Sequence, residues 1–195
     1  MTCQILIVYG SAYGQTAKIA SRISDTLTAG GLNVRLLNAD PARSVDLAGV
    51  DGVIVGSSVI TGRHRKSVKR FVEFHVETLN RIPSAFFSVS GSAGSAAAVS
   101  QLRARTVMEQ FLEANGWTPD LMTTVGGALA YTKYSPLIRW IMKRIARTEG
   151  GPTDTTRDYE LTDWAHVDDF AQQFARLAAP VLFAHAQLQQ TAHPS

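Results

Sequence analysis

The sequence predicts an α/β fold in which helices cover both faces of a doubly wound, five-stranded parallel sheet. Five short runs rich in β-branched and apolar residues alternate with segments whose apolar residues recur at helical spacing. Runs that are apolar throughout are typical of strands buried on both faces, as in parallel sheets. No repeat or linker divides the 195 residues, a length that one domain accounts for. We expect a single domain at residues 3–178 and a loosely held tail at residues 179–195.

The predicted elements alternate along the chain. Strands are expected at Gln4–Tyr9, Asn33–Leu37, Gly52–Gly56, Ala85–Val89 and Leu121–Val125. Helices are expected at Thr16–Ala29, Arg65–Asn80, Val99–Ala114, Pro136–Arg147 and Asp163–Ala178. Gly30-Gly31 and Asn115-Gly116 predict helix ends, because glycine readily adopts the left-handed backbone found there. Folds of this type bind ligands at the carboxyl ends of their strands, so we expect function in the loops at that edge.

Composition excludes several classes of protein. Apolar residues make up 45% of the chain, too many for a disordered protein. The single cysteine, Cys3, can form neither an intrachain disulfide nor a multi-cysteine metal cluster, and is expected as a small core residue. Neither a signal peptide nor an apolar run of the roughly 18 residues needed to span a bilayer is visible. The histidines show no metal-ligand spacing, so no metal is predicted.

The positive charge is concentrated in two segments. The net charge of +3 is too small to indicate a nucleic-acid partner, and none is predicted. Five cations lie within residues 63–70 and five within residues 133–147, with no acid among either set. This distribution is typical either of a basic face that meets anions or a membrane surface, or of ordinary solvated helix faces.

The loop after the first strand predicts a phosphate site. It offers two hydroxyls, a permissive glycine and free amides at a helix N-terminus, in the order Ser11, Ala12, Tyr13, Gly14, Gln15, Thr16. Such amides and the helix dipole can hold a phosphate dianion without a lysine. The loop lacks the Gly-Lys-Ser/Thr ending of a triphosphate P-loop and the three glycines of the dinucleotide fingerprint. The alternative is that these residues only form the turn between the strand and the helix and bind nothing.

Ser11-x-x-Gly14-x-Thr16 resembles the FMN-phosphate loop of flavodoxins. Further segments resemble the flavodoxin-like protoporphyrinogen oxidases, which are the bacterial quinone-dependent protoporphyrinogen dehydrogenases of haem synthesis: Val55–His64, Pro83–Val89, Gly126–Tyr131, Gly150–Thr155 and Thr162–Trp164. The similarity extends from about residue 4 to residue 178. It implies a flavodoxin-like sheet with strand order 2-1-3-4-5 and FMN as cofactor.

The resemblance also implies where the flavin ring lies, across the ends of strands three and four. The implied contacts after strand three are Ser57, Ser58, Val59, Thr61 and Gly62, and those around strand four are Phe86, Ser88, Val89, Ser90 and Gly91, with Tyr131 in addition. The alternative is that these are simply short polar loops. No side chain can be named from the sequence as an essential acid or base.

Cations follow the predicted ring loop. Arg63 and Arg65 would favour a reduced, anionic flavin, so reversing both to Glu is expected to lower the two-electron potential. His64 is either a proton donor or, as the sequence favours, a polar residue at a helix start. His75 falls on an apolar helical stripe and is expected to be a core histidine.

The helix predicted at Pro136–Arg147 is amphipathic. Its apolar face carries Leu137, Ile138, Ile141, Met142 and Ile145, and its basic face carries Arg139, Lys143, Arg144 and Arg147 around Trp140. An ordinary surface helix has this pattern, but Trp among cations also suits a membrane headgroup region or a flat dicarboxylate. Related enzymes carry a basic insert after strand four, whereas Gly91–Ala98 is uncharged here. Arg103, Arg105 or this helix would therefore have to contact the substrate's propionates.

The function implied by the resemblance is FMN-dependent oxidation of protoporphyrinogen IX to protoporphyrin IX, with menaquinone or ubiquinone as acceptor. The expected location is peripheral, on the cytoplasmic side of a bacterial inner membrane, and homo-oligomerisation is left open. The alternatives are an NAD(P)H:quinone reductase, a soluble flavodoxin electron carrier, or a surface-binding protein without flavin. A sequence pI near 9.2 counts against the carrier, because flavodoxins are typically acidic.

Overall fold

The computed structural model describes residues 3–40, 45–148 and 151–180. Five long strands are β1 (Gln4–Gly10), β2 (Asn33–Asn38), β3 (Gly52–Ile60), β4 (Ser84–Ser90) and β5 (Leu121–Gly126). Five helices are α1 (Gln15–Ala29), α2 (Lys66–Leu79), α3 (Ala98–Ala114), α4 (Pro136–Thr148) and α5 (Trp164–Ala178). Each predicted element is present within a few residues, β3 excepted. Most of the predicted tail lies outside the described residues.

The five long strands are parallel and lie in the order β2-β1-β3-β4-β5, as predicted. One face is covered by α1 and α5, whose apolar residues pack on Ile5, Ile7 and Phe87. The other face is covered by α2 and α3, which pack on Leu6 and Val55. Cys3 and His75 were expected in the core but lie half-buried at its rim.

β3 is four residues longer than predicted because its end forms a hairpin. Ile60 pairs with Arg63 and Val59 with His64, in a two-residue antiparallel strand. Thr61 and Gly62 connect the strands with φ values of 49° and 76°. Two consecutive positive φ values are typical of the tight turns that match strand twist. Ser57, Ser58 and Val59 therefore lie in a strand, where the sequence predicted a loop.

The described residues between β5 and α5, 127–148 and 151–163, form an insertion. It contains α4 and a two-stranded antiparallel ribbon of Ala128–Leu129 and Tyr159–Glu160. Its own small core includes Leu129, Tyr131 and Tyr134. The insertion returns across the sheet edge where Thr162 Oγ1 donates to the Gly126 carbonyl at 2.7 Å. Because of this return path, the insertion lies over the carboxyl edge of the sheet.

No helix within the described ranges is long and apolar enough to cross a membrane.

Candidate active site

A cleft of about 560 Å³ lies at the carboxyl edge of the sheet. Its floor is made by the segments that follow β1, β3 and β4, which parallel strands bring to one edge. Its other wall is the insertion, chiefly one side of α4. The three loops singled out from the sequence therefore meet in one cavity.

The segment after β1 forms an anion cradle at the start of α1. Gly14 precedes the helix with φ of 100°, and its amide donates to Ser11 Oγ at 3.0 Å. Thr16 is 1% exposed, and its Oγ1 is buried without a hydrogen-bond partner in the part of the chain that the structure describes. The first amides of a helix lack intrahelical acceptors, so hydroxyl and amides together can bind a phosphate. Of the predicted residues, Ser11, Ala12, Tyr13, Gln15 and Thr16 line the cleft, and Gly14 shapes the turn.

The β3 hairpin forms the second part of the floor. Ser58, Val59, Thr61 and Gly62 line the cleft. Ser58 Oγ is a second buried hydroxyl without a partner among the described residues. Ser57 has a different role, because its Oγ accepts the Arg65 amide at 3.1 Å and donates to the Ser58 carbonyl at 3.3 Å. Ser57 therefore supports the hairpin and does not line the cleft, and its predicted contact with the ring stays a prediction.

The end of β4 forms the third part. Val89, Ser90 and Gly91 line the cleft, but Phe86 and Ser88 do not. Side chains alternate along a strand, and Phe86 points toward α3, where its ring stacks on Phe111 with centroids 5.2 Å apart. Phe86 and Ser88 therefore lie beneath the sheet edge and outside the cleft lining, and their predicted ring contacts stay predictions.

His64 lies beneath the cleft and not in it. Its Nε2 is 3.0 Å from Ser88 Oγ, and its ring packs on Phe111 with centroids 4.5 Å apart. Burial among these rings lowers the pKa of His64 to about 4, since the charged form loses its hydration. The side chain is neutral at pH 7 and packs beneath the hairpin, which favours the structural interpretation over the proton-donor hypothesis.

Tyrosines join the insertion to the anion cradle. The Tyr134 ring packs edge-on to the Tyr13 ring with centroids 4.8 Å apart, and Tyr134 lines the cleft. Tyr131 is fully buried instead, with its hydroxyl donating to the Pro152 carbonyl at 2.8 Å. Tyr131 therefore holds the insertion together, and its predicted contact with the cofactor stays a prediction. Tyr134, which the sequence analysis did not name, lines the cleft instead.

The apolar side of α4 forms the roof of the cleft. Ile138, Ile141, Met142 and Ile145 line the cavity, and Ala146 is the buried residue of this helix. The sequence identified this apolar face, but not that it covers a cavity instead of a sheet.

The predicted cations have different roles. Arg139 Nε donates to the Tyr131 carbonyl at 2.9 Å, and Arg65 pairs with Asp40 at 2.9 Å, so both stabilise loops. Arg103 lines the cleft. Trp140 lies outside the cleft, and so do the other cations predicted to contact substrate or membrane: Arg63, Arg105, Lys143, Arg144 and Arg147. The ion pair with Asp40 balances the charge of Arg65. The predicted stabilisation of a reduced, anionic flavin therefore depends mainly on Arg63, whose side chain is exposed.

A family model described as a flavodoxin domain matches residues 6–156. The chain is 31% identical to the protoporphyrinogen IX dehydrogenase (quinone) of Escherichia coli strain K12 over 172 residues, which cover 88% of this chain and 94% of that protein. It is 32% identical to the protein of the same name from Leishmania major over 180 residues, covering 90% and 76%. The chain belongs to this family of flavodoxin-domain dehydrogenases. It is an oxidoreductase.

Solved flavodoxins share the fold of this family member. A short-chain flavodoxin associated with a bacterial microcompartment matches with a TM-score of 0.58 at 14% identity, covering 91% of this chain and 99% of that one. Oxidised Flavodoxin 1 from Bacillus cereus matches with a TM-score of 0.55 at 13% identity, covering 89% and 97%. The flavodoxin-like fold predicted from the sequence is confirmed.

FMN is the cofactor of this flavodoxin-domain oxidoreductase, and the cleft fits it. The orphaned Thr16 hydroxyl suits the phosphate, and the orphaned Ser58 hydroxyl suits a polar edge of the ring. Both are buried, and a buried hydroxyl without a partner costs about 1–3 kcal/mol, so a ligand that satisfies them is favoured. Bound FMN supplies two-electron chemistry, and the protein supplies its position and surroundings.

Proposed function

We propose that this oxidoreductase converts protoporphyrinogen IX to protoporphyrin IX and passes the electrons to a membrane quinone. The observation that carries the proposal is the apolar roof of Ile138, Ile141, Met142 and Ile145, continuous with the FMN loops. A tetrapyrrole and a quinone both have flat apolar bodies, for which such a roof is suited. The names of the two relatives support the same substrate and acceptor.

The residues of the cleft favour chemistry carried by the flavin. Among the described lining residues there is no Asp, Glu, His, Cys or Lys. Burial raises the pKa of Tyr134 above its usual range, so this phenol stays protonated at neutral pH. The protein therefore binds, orients and excludes water, and leaves the electron transfer to the cofactor. A site in which the protein positions the substrate and the flavin accepts the electrons suits the removal of hydrogen from an electron-rich substrate.

The proposed location is peripheral, on the cytoplasmic face of a bacterial inner membrane. On the outer side of α4, Leu137 is 67% exposed and Trp140 is 60% exposed, with Arg144 5.9 Å from the Trp140 ring. Exposed Trp beside cations suits an anionic headgroup layer. A lipid-dissolved quinone would then reach the cleft along the apolar side of the same helix.

Co-sedimentation with vesicles tests the location. Phosphatidylglycerol vesicles are expected to bind the protein and phosphatidylcholine vesicles to bind it weakly. Replacing Arg144 and Arg147 with Gln should weaken binding roughly 30-fold, since each cation contributes about 1 kcal/mol at an anionic surface. Arg81→Gln removes an exposed cation that follows α2, away from α4, and is the control. Equal loss in both variants would contradict a specific role for α4.

Anaerobic turnover tests the function. Yellow holoprotein is mixed with protoporphyrinogen IX and a menaquinone or ubiquinone analogue, and porphyrin fluorescence is followed. Fluorescence that requires both protein and quinone is the expected result. Bleaching of the flavin by NAD(P)H with no porphyrin formed would instead support an NAD(P)H:quinone reductase.

A further inference from the structure

Arg103 is the charged residue of the cleft. It lies in the second turn of α3, and among the described lining residues it alone carries a charge at neutral pH. Its neighbours on this side of the cavity are small and neutral, among them Ser95 and Ala96. Its guanidinium makes no ion pair with any acid in the described ranges. It therefore faces the cavity with its hydrogen-bond donors available.

The other cations that the sequence offered as anion contacts already have partners or lie elsewhere. Arg105, on the same helix, pairs with Glu109 at 2.8 Å and lies outside the cleft. Arg139 is occupied by the backbone carbonyls of Tyr131 and Tyr134. The remaining basic residues of α4 lie outside the lining of the cleft. This leaves Arg103 to meet an anionic group inside the cavity.

The anion that Arg103 meets is distinct from the FMN phosphate. Its helix follows β4, whereas the phosphate cradle follows β1, two strands away in the sheet order, or about 10 Å at ordinary strand spacing. α3 also packs on the opposite face of the sheet from α1. A guanidinium presents a planar fork of donors that matches a carboxylate. A flat apolar ligand with a carboxylate at its edge fits both the apolar roof and the guanidinium of Arg103.

We propose that Arg103 binds a propionate carboxylate of the tetrapyrrole and so selects the diacid over its esters, an inference that rests on the proposed function. The two propionates are the only charged groups of that substrate, and Arg103 gives the otherwise neutral cleft one complementary charge. The uncharged segment Gly91–Ala98 leaves this role to the helix that follows it.

The test compares protoporphyrinogen IX with its dimethyl ester in wild type, Arg103→Gln, Arg103→Lys and the control Arg105→Gln. In Arg103→Gln, KM for the diacid is expected to rise about tenfold while KM for the ester changes less than twofold. Arg103→Lys should restore part of the preference for the diacid, and Arg105→Gln should match wild type. Equal KM changes for diacid and ester, or none, would overturn the assignment and leave the proposed function intact. Loss of FMN from Arg103→Gln at unchanged KM would overturn it in favour of a cofactor contact.

Binding of the product separates the two proposals. Protoporphyrin IX and its dimethyl ester are titrated into the holoproteins, and quenching of flavin fluorescence is followed without any turnover. If Arg103→Gln weakens binding of the diacid but not of the ester, the carboxylate site is supported. This holds even if the wild type oxidises no porphyrinogen, a result that would overturn only the proposed reaction. Indistinguishable diacid binding in wild type and Arg103→Gln would overturn the site.

Discussion

Replacing Thr16 with valine is expected to weaken FMN binding and stabilise the apoprotein at the same time. Thr16 is 1% exposed at the start of α1, and its buried Oγ1 lacks a partner among the described residues. In the apoprotein this hydroxyl carries a desolvation cost of about 1–3 kcal/mol that valine, of nearly the same shape, removes. In the holoprotein it would donate to the FMN phosphate, and a hydrogen bond to a charged group contributes about 1.5–3 kcal/mol. The two effects add in the binding equilibrium to about 2.5–6 kcal/mol, so the Kd for FMN should rise by at least about 50-fold.

Two measurements check this prediction. FMN is titrated into apoprotein by quenching of its fluorescence, and the free energy of unfolding of each apoprotein is measured in urea. Ser67→Ala is the matched control, because Ser67 Oγ on α2 is also buried and unpartnered in the described structure but lies outside the cleft. The control should leave the Kd unchanged. The reasoning fails if Thr16→Val binds FMN as tightly as wild type, or if its apoprotein is destabilised.

Three further changes follow from the geometry. A Cβ at Gly126 would overlap the Leu161 carbonyl oxygen, so Gly126→Ala should lower the free energy of unfolding by about 1–3 kcal/mol; no loss in urea would contradict the close approach. The pKa of His64 is about 4 in the fold and near 6.5 when unfolded, so the unfolded chain binds more protons between these values. Stability should fall by about 2 kcal/mol between pH 7 and pH 5, and His64→Gln should abolish this part of the pH dependence. Ile141→Glu, which places a charge under the roof, should retain FMN yet lose porphyrinogen turnover, whereas Leu137→Glu on the outer side should retain turnover in detergent.

The sheet and its helices were predictable because their signals are local. An unbroken apolar run such as Gln4–Tyr9 fits a strand buried on both faces, and the spacing of Ile19, Ile23 and Leu27 fits a helix that packs on it. The phosphate cradle was predictable for the same reason, since Ser11 to Thr16 occupy one turn. The order of the strands in the sheet was predicted from the resemblance, and the observed strand pairing has the same order.

Side-chain direction at the cleft was harder to predict. Phe86 and Ser88 belong to the right strand but face α2 and α3, and which face of a strand meets the ligand depends on tertiary register. The extension of β3 through Ile60 depended on a turn that puts Thr61, a β-branched residue, at positive φ, which propensity argues against. The identity of α4 as a roof depended on the path of the insertion, fixed by the contact of Thr162 with Gly126.

The most direct test of the central claim is a single anaerobic half-reaction without quinone. Oxidised holoprotein is mixed in a stopped-flow instrument with protoporphyrinogen IX at more than three FMN per porphyrinogen, because each FMN accepts two electrons and formation of the porphyrin removes six. Flavin absorbance and porphyrin fluorescence are recorded together. We expect the flavin to bleach as porphyrin fluorescence rises, with quinone then restoring the flavin colour. A flavin that stays oxidised in the presence of protoporphyrinogen, yet is bleached by NAD(P)H, would contradict the account.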